Sequence, residues 1–307
     1  MRVWPTIRKP AGKVPRRTGQ AVAAAVCFAL ASCSSAVEPR AGQVTGTPDA
    51  AITIAVNQSR TNYGTRTIDL LVTNNGPAPK TVTTVILDSG LFVGQVMWTS
   101  DGDGTVLPPG QPKSLATELP EPECGTAEGG SPTPDLSAHL QLSDSSRLQP
   151  ATATDSFGVL ERNRAEHCLA LAVQAIAAVE LLPGLQLEDP QTATLRLAVT
   201  PRPRQSGASA GPGLTIERFL ETTLLADAGM NPWPERIHIR PGDAEQIVLL
   251  SVRPARCDPH AVAEDKVGTL LPLEVLVNGQ RGTIKVAAGA ELKGAIHDFV
   301  SAACASG

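Results

Sequence analysis

The chain has 307 residues, 42% of them hydrophobic but only 3% aromatic, with 26 Lys and Arg against 30 Asp and Glu. Six of the basic residues and none of the acids fall in the first 32 positions, so the remainder carries 20 (26 less 6) basic against 30 acidic side chains, a net charge near −10. That balance argues against nucleic acid as a partner and against a polybasic membrane patch, and the shortage of aromatics lowers a carbohydrate-binding reading.

The N-terminus has the layout of an export signal over residues 1–32. A basic stretch carries Arg2, Arg8, Lys9, Lys13, Arg16 and Arg17, and the apolar run Ala21–Leu30 follows. The segment closes on Leu30-Ala31-Ser32-Cys33, which resembles the lipobox of bacterial lipoproteins. The resemblance implies that Cys33 receives a diacylglycerol and becomes the first residue of the mature chain. A cysteine carrying two lipid chains suffices for stable anchoring. The membrane, reached through Cys33, is therefore one expected partner, and the expected location is the outer face of the cell membrane. Past this segment no apolar run is long enough to span a bilayer: the longest, Cys168–Leu182, is interrupted by Gln174 and Glu180. Residues 33–50 have no periodicity and few large apolar groups, and read as a flexible tether.

The mature length suggests two domains, and the order of sequence features from residue 51 repeats. The first copy, residues 51–172, opens with alternating Ala51–Val56 and continues with Ile68, Leu70 and Val72 up to Asn74-Asn75-Gly76-Pro77. It then runs through Val82–Leu87, the turn Leu107-Pro-Pro-Gly110, and Leu115–Leu119 before Cys124. The second copy, residues 173–307, opens at Ala177-Ala178-Val179 and continues with Leu195, Leu197 and Val199. Leu214–Leu220, the turn Ile239-Arg-Pro-Gly242, Ile247–Val252 and Cys257 follow. Corresponding positions are offset by similar amounts: Thr73 to Thr200 is 127, Pro109 to Pro241 is 132, Cys124 to Cys257 is 133, and Cys168 to Cys304 is 136. Each copy also predicts one helix, over Phe157–Leu171 in the first and over Ala290–Ala303 in the second. In the latter Leu292, Ile296, Phe299 and Val300 recur at helical spacing.

Of the six cysteines, Cys27 lies in the signal and Cys33 takes the lipid, leaving Cys124, Cys168, Cys257 and Cys304. An even number in an exported chain predicts two disulfides. Three pairings are possible. Matched separations of 44 and 47 residues favour one bridge per copy, Cys124–Cys168 and Cys257–Cys304.

Short alternating runs punctuated by Gly, Pro and Asn turns predict a mainly β fold of β-sandwiches. The strand end Leu70-Leu-Val-Thr-Asn-Asn-Gly76 and the Pro-Gly turns at 109–110 and 241–242 resemble those of bacterial immunoglobulin-like modules. The stretch Cys257–Lys266 is similar to one in actinobacterial exported proteins of unassigned function. The resemblance implies two tandem immunoglobulin-like domains, each with a short helix and one disulfide. It carries no activity.

Possible sites are few. Gly207-Ala-Ser209-Ala-Gly211 has the spacing of a nucleophile elbow, but Pro212-Gly213 follows at once, so a flexible loop is expected. Asp101-Gly-Asp103-Gly-Thr105 resembles the start of a calcium loop, yet the twelfth position is Pro112 rather than an acid. If Asp258 caps a helical turn with Pro259 at its first position, His260 and Glu264 share a face. With His238 or His297 they could bind a metal. The bland alternative is a capped turn in which Glu264, Asp265 and Lys266 are surface charges. Trp233, between Pro232 and Pro234, is expected in an exposed turn, either as an interface anchor or as a plug over a sandwich end. Trp233, His260, Glu264 and Asp265 are the candidate binding residues. No motif specifies a cofactor or a metal. The expected function is non-catalytic binding or scaffolding in the cell envelope, with an envelope protein as partner. A metal or small-ligand handler using His260 and Glu264 is the second reading, and an exported hydrolase the third.

Overall fold

The structure is a computed structural model, and it describes residues 51–125, 136–204, 213–229 and 231–305. The export signal, Cys33, the tether and Ser209 lie outside the described residues. Among the described residues no helix is long and apolar enough to cross a membrane.

Eight strands come first: β1 (Ile52–Asn57), β2 (Thr67–Asn74), β3 (Lys80–Asp88), β4 (Val96–Thr99), β5 (Thr105–Leu107), β6 (Lys113–Glu118), β7 (Ser137–Leu142) and β8 (Gln149–Thr154). They join in the order β4-β3-β7-β8-β1-β2-β6, with β5 on β3. Strand β8 pairs antiparallel with β7 and parallel with β1, over Thr53–Ala55 and Thr152–Thr154, and so carries the sheet from one layer to the other. The edge strands approach each other, where Thr117 Oγ1 donates to the Met97 carbonyl at 2.6 Å. Alternation decides which side faces in. On β2, Ile68, Leu70 and Val72 are fully buried, and so is Asn74. A buried amide costs free energy unless bonded. Asn74 Nδ2 donates to the Ala78 and Leu107 carbonyls at 2.8 and 3.0 Å, and its Oδ1 accepts from Gly76 N–H at 3.0 Å.

Helix α1 (Val159–Gln174) follows. Gly158 stands in the left-handed region, and both carboxylate oxygens of Asp155 accept from the first turn, Val159 N–H and Leu160 N–H, each at 2.8 Å. The helix runs between two cores. Val159 and Leu160 belong to the core of the first eight strands, while Leu169 and Val173 belong to a second. The boundary expected between residues 172 and 173 thus falls inside an unbroken helix, because its apolar residues divide between its ends instead of forming one stripe. The described residues belong to one compact unit.

The second core lies between two sheets. One is built from β9 (Ala177–Leu181), β10 (Gln186–Leu187), β11 (Ala193–Pro201), β13 (Leu225–Asp227) and β15 (Gln246–Pro254), ordered β10-β11-β15-β13 with β9 also on β11. The other is β14-β12-β16-β17, from β12 (Leu214–Phe219), β14 (Ile237–Ile239), β16 (Leu270–Val277) and β17 (Gln280–Ala287). Leu195, Leu197 and Leu250 meet Ile216, Leu273 and Val275 between the sheets. A short helix, α2 (Pro259–Ala263), precedes β16, and the chain closes with α3 (Ala290–Ala305). Its stripe Leu292, Ile296, Phe299, Val300 and Ala303 is buried at the spacing expected of an amphipathic helix. Gly294, inside that run, faces open space.

The molecule is thus mainly β and built as β-sandwiches, and the sequence repeat reappears as matched pairings. Strand β1 pairs with β2 and β2 with β6, while β9 pairs with β11 and β11 with β15. Gly110 and Gly242 both adopt positive φ, 68° and 86°. Each donates its N–H at 2.8 Å to the carbonyl at the end of the matching strand, Asn74 in one half and Arg202 in the other. The disulfides are Cys124–Cys168 and Cys257–Cys304, the pairing favoured by the repeat.

Candidate functional site: an open seam between two strand edges

The segment after Cys257 is a clip. Asp258 caps α2, accepting from His260 N–H at 2.9 Å and Ala261 N–H at 3.3 Å, with Pro259 in the first turn. Val262 packs on the second core, and Cys257 is bonded to Cys304 at the end of α3. Asp265 is not a free surface charge. It accepts from Thr223 Oγ1 and from Gly268 N–H, the latter at 2.7 Å. A Cβ at Gly268 would stand 2.3 Å from Leu224 Cγ, so glycine is needed for the loop to close over that leucine. His260 and Glu264 are joined through the helical backbone, Glu264 N–H to the His260 carbonyl at 2.9 Å. His238 is turned to Thr215, Nδ1 to Oγ1 at 3.0 Å. Among the described residues no three His, Cys, Asp or Glu side chains are placed to hold a metal. Asp101 and Asp103 lie in an exposed turn between β4 and β5.

Trp233 corrects an expectation. It is 9% exposed, so it is not a surface anchor. Its indole N–H donates to the Ser251 carbonyl at 2.8 Å, its backbone N–H to Asp227 Oδ2 at 3.1 Å, and its ring meets Phe219 edge-on with centroids 6.5 Å apart. The flanking prolines hold the backbone extended, but Asp227 turns the chain back and the ring points inward. Trp233 is the plug.

The surface best suited to a partner lies elsewhere, where the two halves differ. In the first half β1 and β8 pair and close one side of the sandwich. Among the described residues the matching strands of the second half, β9 and β17, have no such pairing: there β9 bonds only to β11, and β17 only to β16. The two strands of the second sandwich therefore approach each other on this side without bonding, and a groove of about 400 Å³ lies along them. The C-terminal part of α1, through Ala170 and Val173, forms its floor with Val179 and Leu181 of β9 and Ile284 and Val286 of β17.

Hydrogen-bond alternation shows which backbone groups face the seam. Arg202 N–H bonds to the Ile176 carbonyl and Leu182 N–H to the Arg196 carbonyl, so even-numbered residues of β9 point their backbone at β11. Ala177, Val179 and Leu181 then point theirs outward. The β16–β17 turn has two residues, Asn278 and Gly279, both at positive φ, between the paired Val277 and Gln280. By the same alternation Arg281, Thr283, Lys285 and Ala287 face outward from β17. Among the described residues two rows of backbone groups that no strand pairs border a groove lined by apolar side chains and by Gln174, Glu180 and Lys285. Such edges are templates for an added strand. Sequence reading missed the seam because it is a property of two strands more than a hundred residues apart.

These features define a disulfide-bridged, mainly β protein of the β-sandwich class with one sandwich unbonded along one side. No family model matches the chain, and no curated protein matches it. Solved structures give distant likenesses. Red sea bream transglutaminase is 11% identical with a TM-score of 0.22, over 78% of this chain and 31% of that one. An exo-chitosanase of Amycolatopsis orientalis is 14% identical with a TM-score of 0.18, over 76% and 26%. The calcium-binding domain CBD12 of CALX1.1 is 7% identical with a TM-score of 0.19, over 82% and 94%. The chain spans less than a third of the length of the first two, and likenesses of this order assign neither fold family nor activity.

Proposed function

We propose that the chain is a lipid-anchored binding or scaffolding protein of the bacterial cell envelope, an actinobacterial-type lipoprotein with two tandem immunoglobulin-like domains and no chemistry of its own. Its partner is an envelope protein that lays an extended segment along the groove beside β9 and β17. The observation that carries this reading is the unpaired state of those two strands, whose counterparts in the first half are bonded to each other. Main-chain hydrogen bonds would supply affinity, and the apolar floor would select alternate side chains. Two disulfides support an oxidising compartment outside the cytoplasm, and Leu30–Cys33 supports the anchor.

The test uses a photo-crosslinking residue at Glu180 in the full-length chain in cells, with Asp101 as control. A single protein should be captured from position 180 and not from 101. Val179→Pro removes an N–H that faces the seam, not β11, and should abolish capture while leaving the fold intact. Capture that survives Val179→Pro, or that is equal from both positions, overturns the seam as the binding surface. In parallel, Cys33→Ser should move the protein from the membrane to the soluble fraction, and a protein that stays membrane-bound overturns the anchor.

A further inference from the structure

One cluster of charged and polar side chains lies outside both cores and meets the seam only through Lys285. It centres on Tyr63, the only tyrosine of the chain. Tyr63 follows a 3-10 turn, Arg60–Asn62, in the connection from β1 to β2. Two cations from different elements face its ring: Arg162 of α1, with Cζ 5.2 Å from the centroid, and Lys285 of β17, with Nζ at 5.6 Å. Both are held in place. Lys285 Nζ donates to the two carboxylate oxygens of Glu166 at 2.8 Å each. Arg162 donates to Gln58 Oε1 at 2.7 Å.

Gln58 is only 8% exposed, and its amide is fully used. Nε2 donates to the Asn62 and Thr67 carbonyls and to Asn163 Oδ1, at 3.1, 3.0 and 3.1 Å, while Oε1 also accepts from Asn163 Nδ2 at 3.1 Å. The connection between β1 and β2 is thereby fastened to α1. It also reaches the second half directly: a Cβ at Gly64 would stand 2.9 Å from Leu270 Cδ2, and one at Gly282 would stand 2.7 Å from Leu169 Cδ2. The two glycines let the β1–β2 connection lie against β16 and α1 lie against β17.

We propose that Tyr63 is the latch of a rigid elbow. The ring, gripped by one cation from α1 and one from β17, closes a triangle with α1 as its strut, so that the two cores turn as one body. An α1 held only at its ends could bend or rock about the residues between Leu160 and Leu169. A third fastening, from a loop of the first half to a strand of the second, removes that freedom. Cation–π and ion-pair contacts suit such a latch because they are directional and add little apolar burial, leaving each core complete by itself.

The elbow is tested by pulsed electron-electron spin resonance on the full-length protein in lipid vesicles. Spin labels go on non-canonical residues at Leu148 and Leu249, exposed positions in the first and second halves. The native protein should give one narrow distance distribution. Tyr63→Ala combined with Glu166→Gln should widen it at least twofold, with unchanged circular dichroism. Tyr63→Phe, which keeps the ring face, should leave it narrow. Glu166→Gln alone, a change at a partly exposed side chain, should give intermediate width if the double variant fails to fold. A broad distribution in the native protein overturns the proposal, as does a width unmoved by the double variant or by Glu166→Gln. None of these outcomes depends on a partner occupying the seam.

Discussion

Replacing Trp233 with alanine separates a plug from a binding anchor. The indole is nine-tenths buried, packs edge-on against Phe219 and donates to the Ser251 carbonyl. Truncating a buried aromatic to alanine costs about 3–5 kcal/mol, to which the edge-to-face pair contributes about 1 kcal/mol. Trp233→Phe loses the indole N–H but keeps most of the volume. The Ser251 carbonyl still accepts from Ala228 N–H at 3.1 Å, so it is not orphaned, and the expected cost is about 1–2 kcal/mol. Urea unfolding followed by far-ultraviolet circular dichroism reads both. With a slope of about 2–3 kcal/mol/M, the midpoint should fall by roughly 1–2.5 M for alanine and by about 0.3–1 M for phenylalanine. A loss below about 1 kcal/mol for Trp233→Ala is the behaviour of a surface side chain and would refute the assignment.

Two further outcomes follow from the same geometry. Replacing Cys257 and Cys304 together with serine opens a bridge spanning 47 residues, and loop entropy puts the loss at about 4 kcal/mol. It should appear as a lowered urea midpoint, and unchanged stability would mean that the second core alone fixes α3. His167 gives a pH dependence. Burial holds its imidazole below the ordinary value, aided by Arg66 and opposed by Glu121, 3.9 Å away. Between the lowered value and about 6.5 the unfolded chain binds more protons than the folded one, so stability falls as pH drops through that window. His167→Gln should flatten the decline between pH 7 and 5, and identical slopes for the two proteins would count against the account.

The parts of this fold that local pattern determines were legible, and the parts that depend on distant packing were not. Period-two runs located β1, β2 and β11, because a strand with one buried side must alternate. The matched cysteine spacings selected the pairing that forms. Asp258 and Pro259 marked the start of α2 by backbone chemistry alone. The hairpin of β16 and β17 fell outside the repeat-based reading, although Asn278-Gly279 is a strong hairpin signal. Trp233 was left between anchor and plug, and Asp265 between ligand and surface charge, for a common reason: proline neighbours and a charge both suggest exposure, but Asp227, Thr223 and Gly268 lie where only the folded chain brings them. Helix α1 was located within three residues of its ends, but not its double allegiance, because nothing in its sequence says that Leu160 and Leu169 enter different cores.

The chain enters β1 at Ile52, next to Asn74 and the turn at Gly110, and leaves it at Asn57 and Gln58, where Gln58 is bonded to α1. The six residues of β1 span roughly 20 Å at about 3.3 Å each. A tether ending before Ile52 therefore joins the first half at the end remote from α1, and the second half lies beyond α1. Under the proposed function two similar halves would differ in role, since β1 and β8 bond to each other in the first sandwich while β9 and β17 leave backbone groups for a partner in the second. The proposed elbow would then hold the groove in one orientation to the first half, so a partner bound along β9 and β17 would be presented at a fixed angle to β1 and β8.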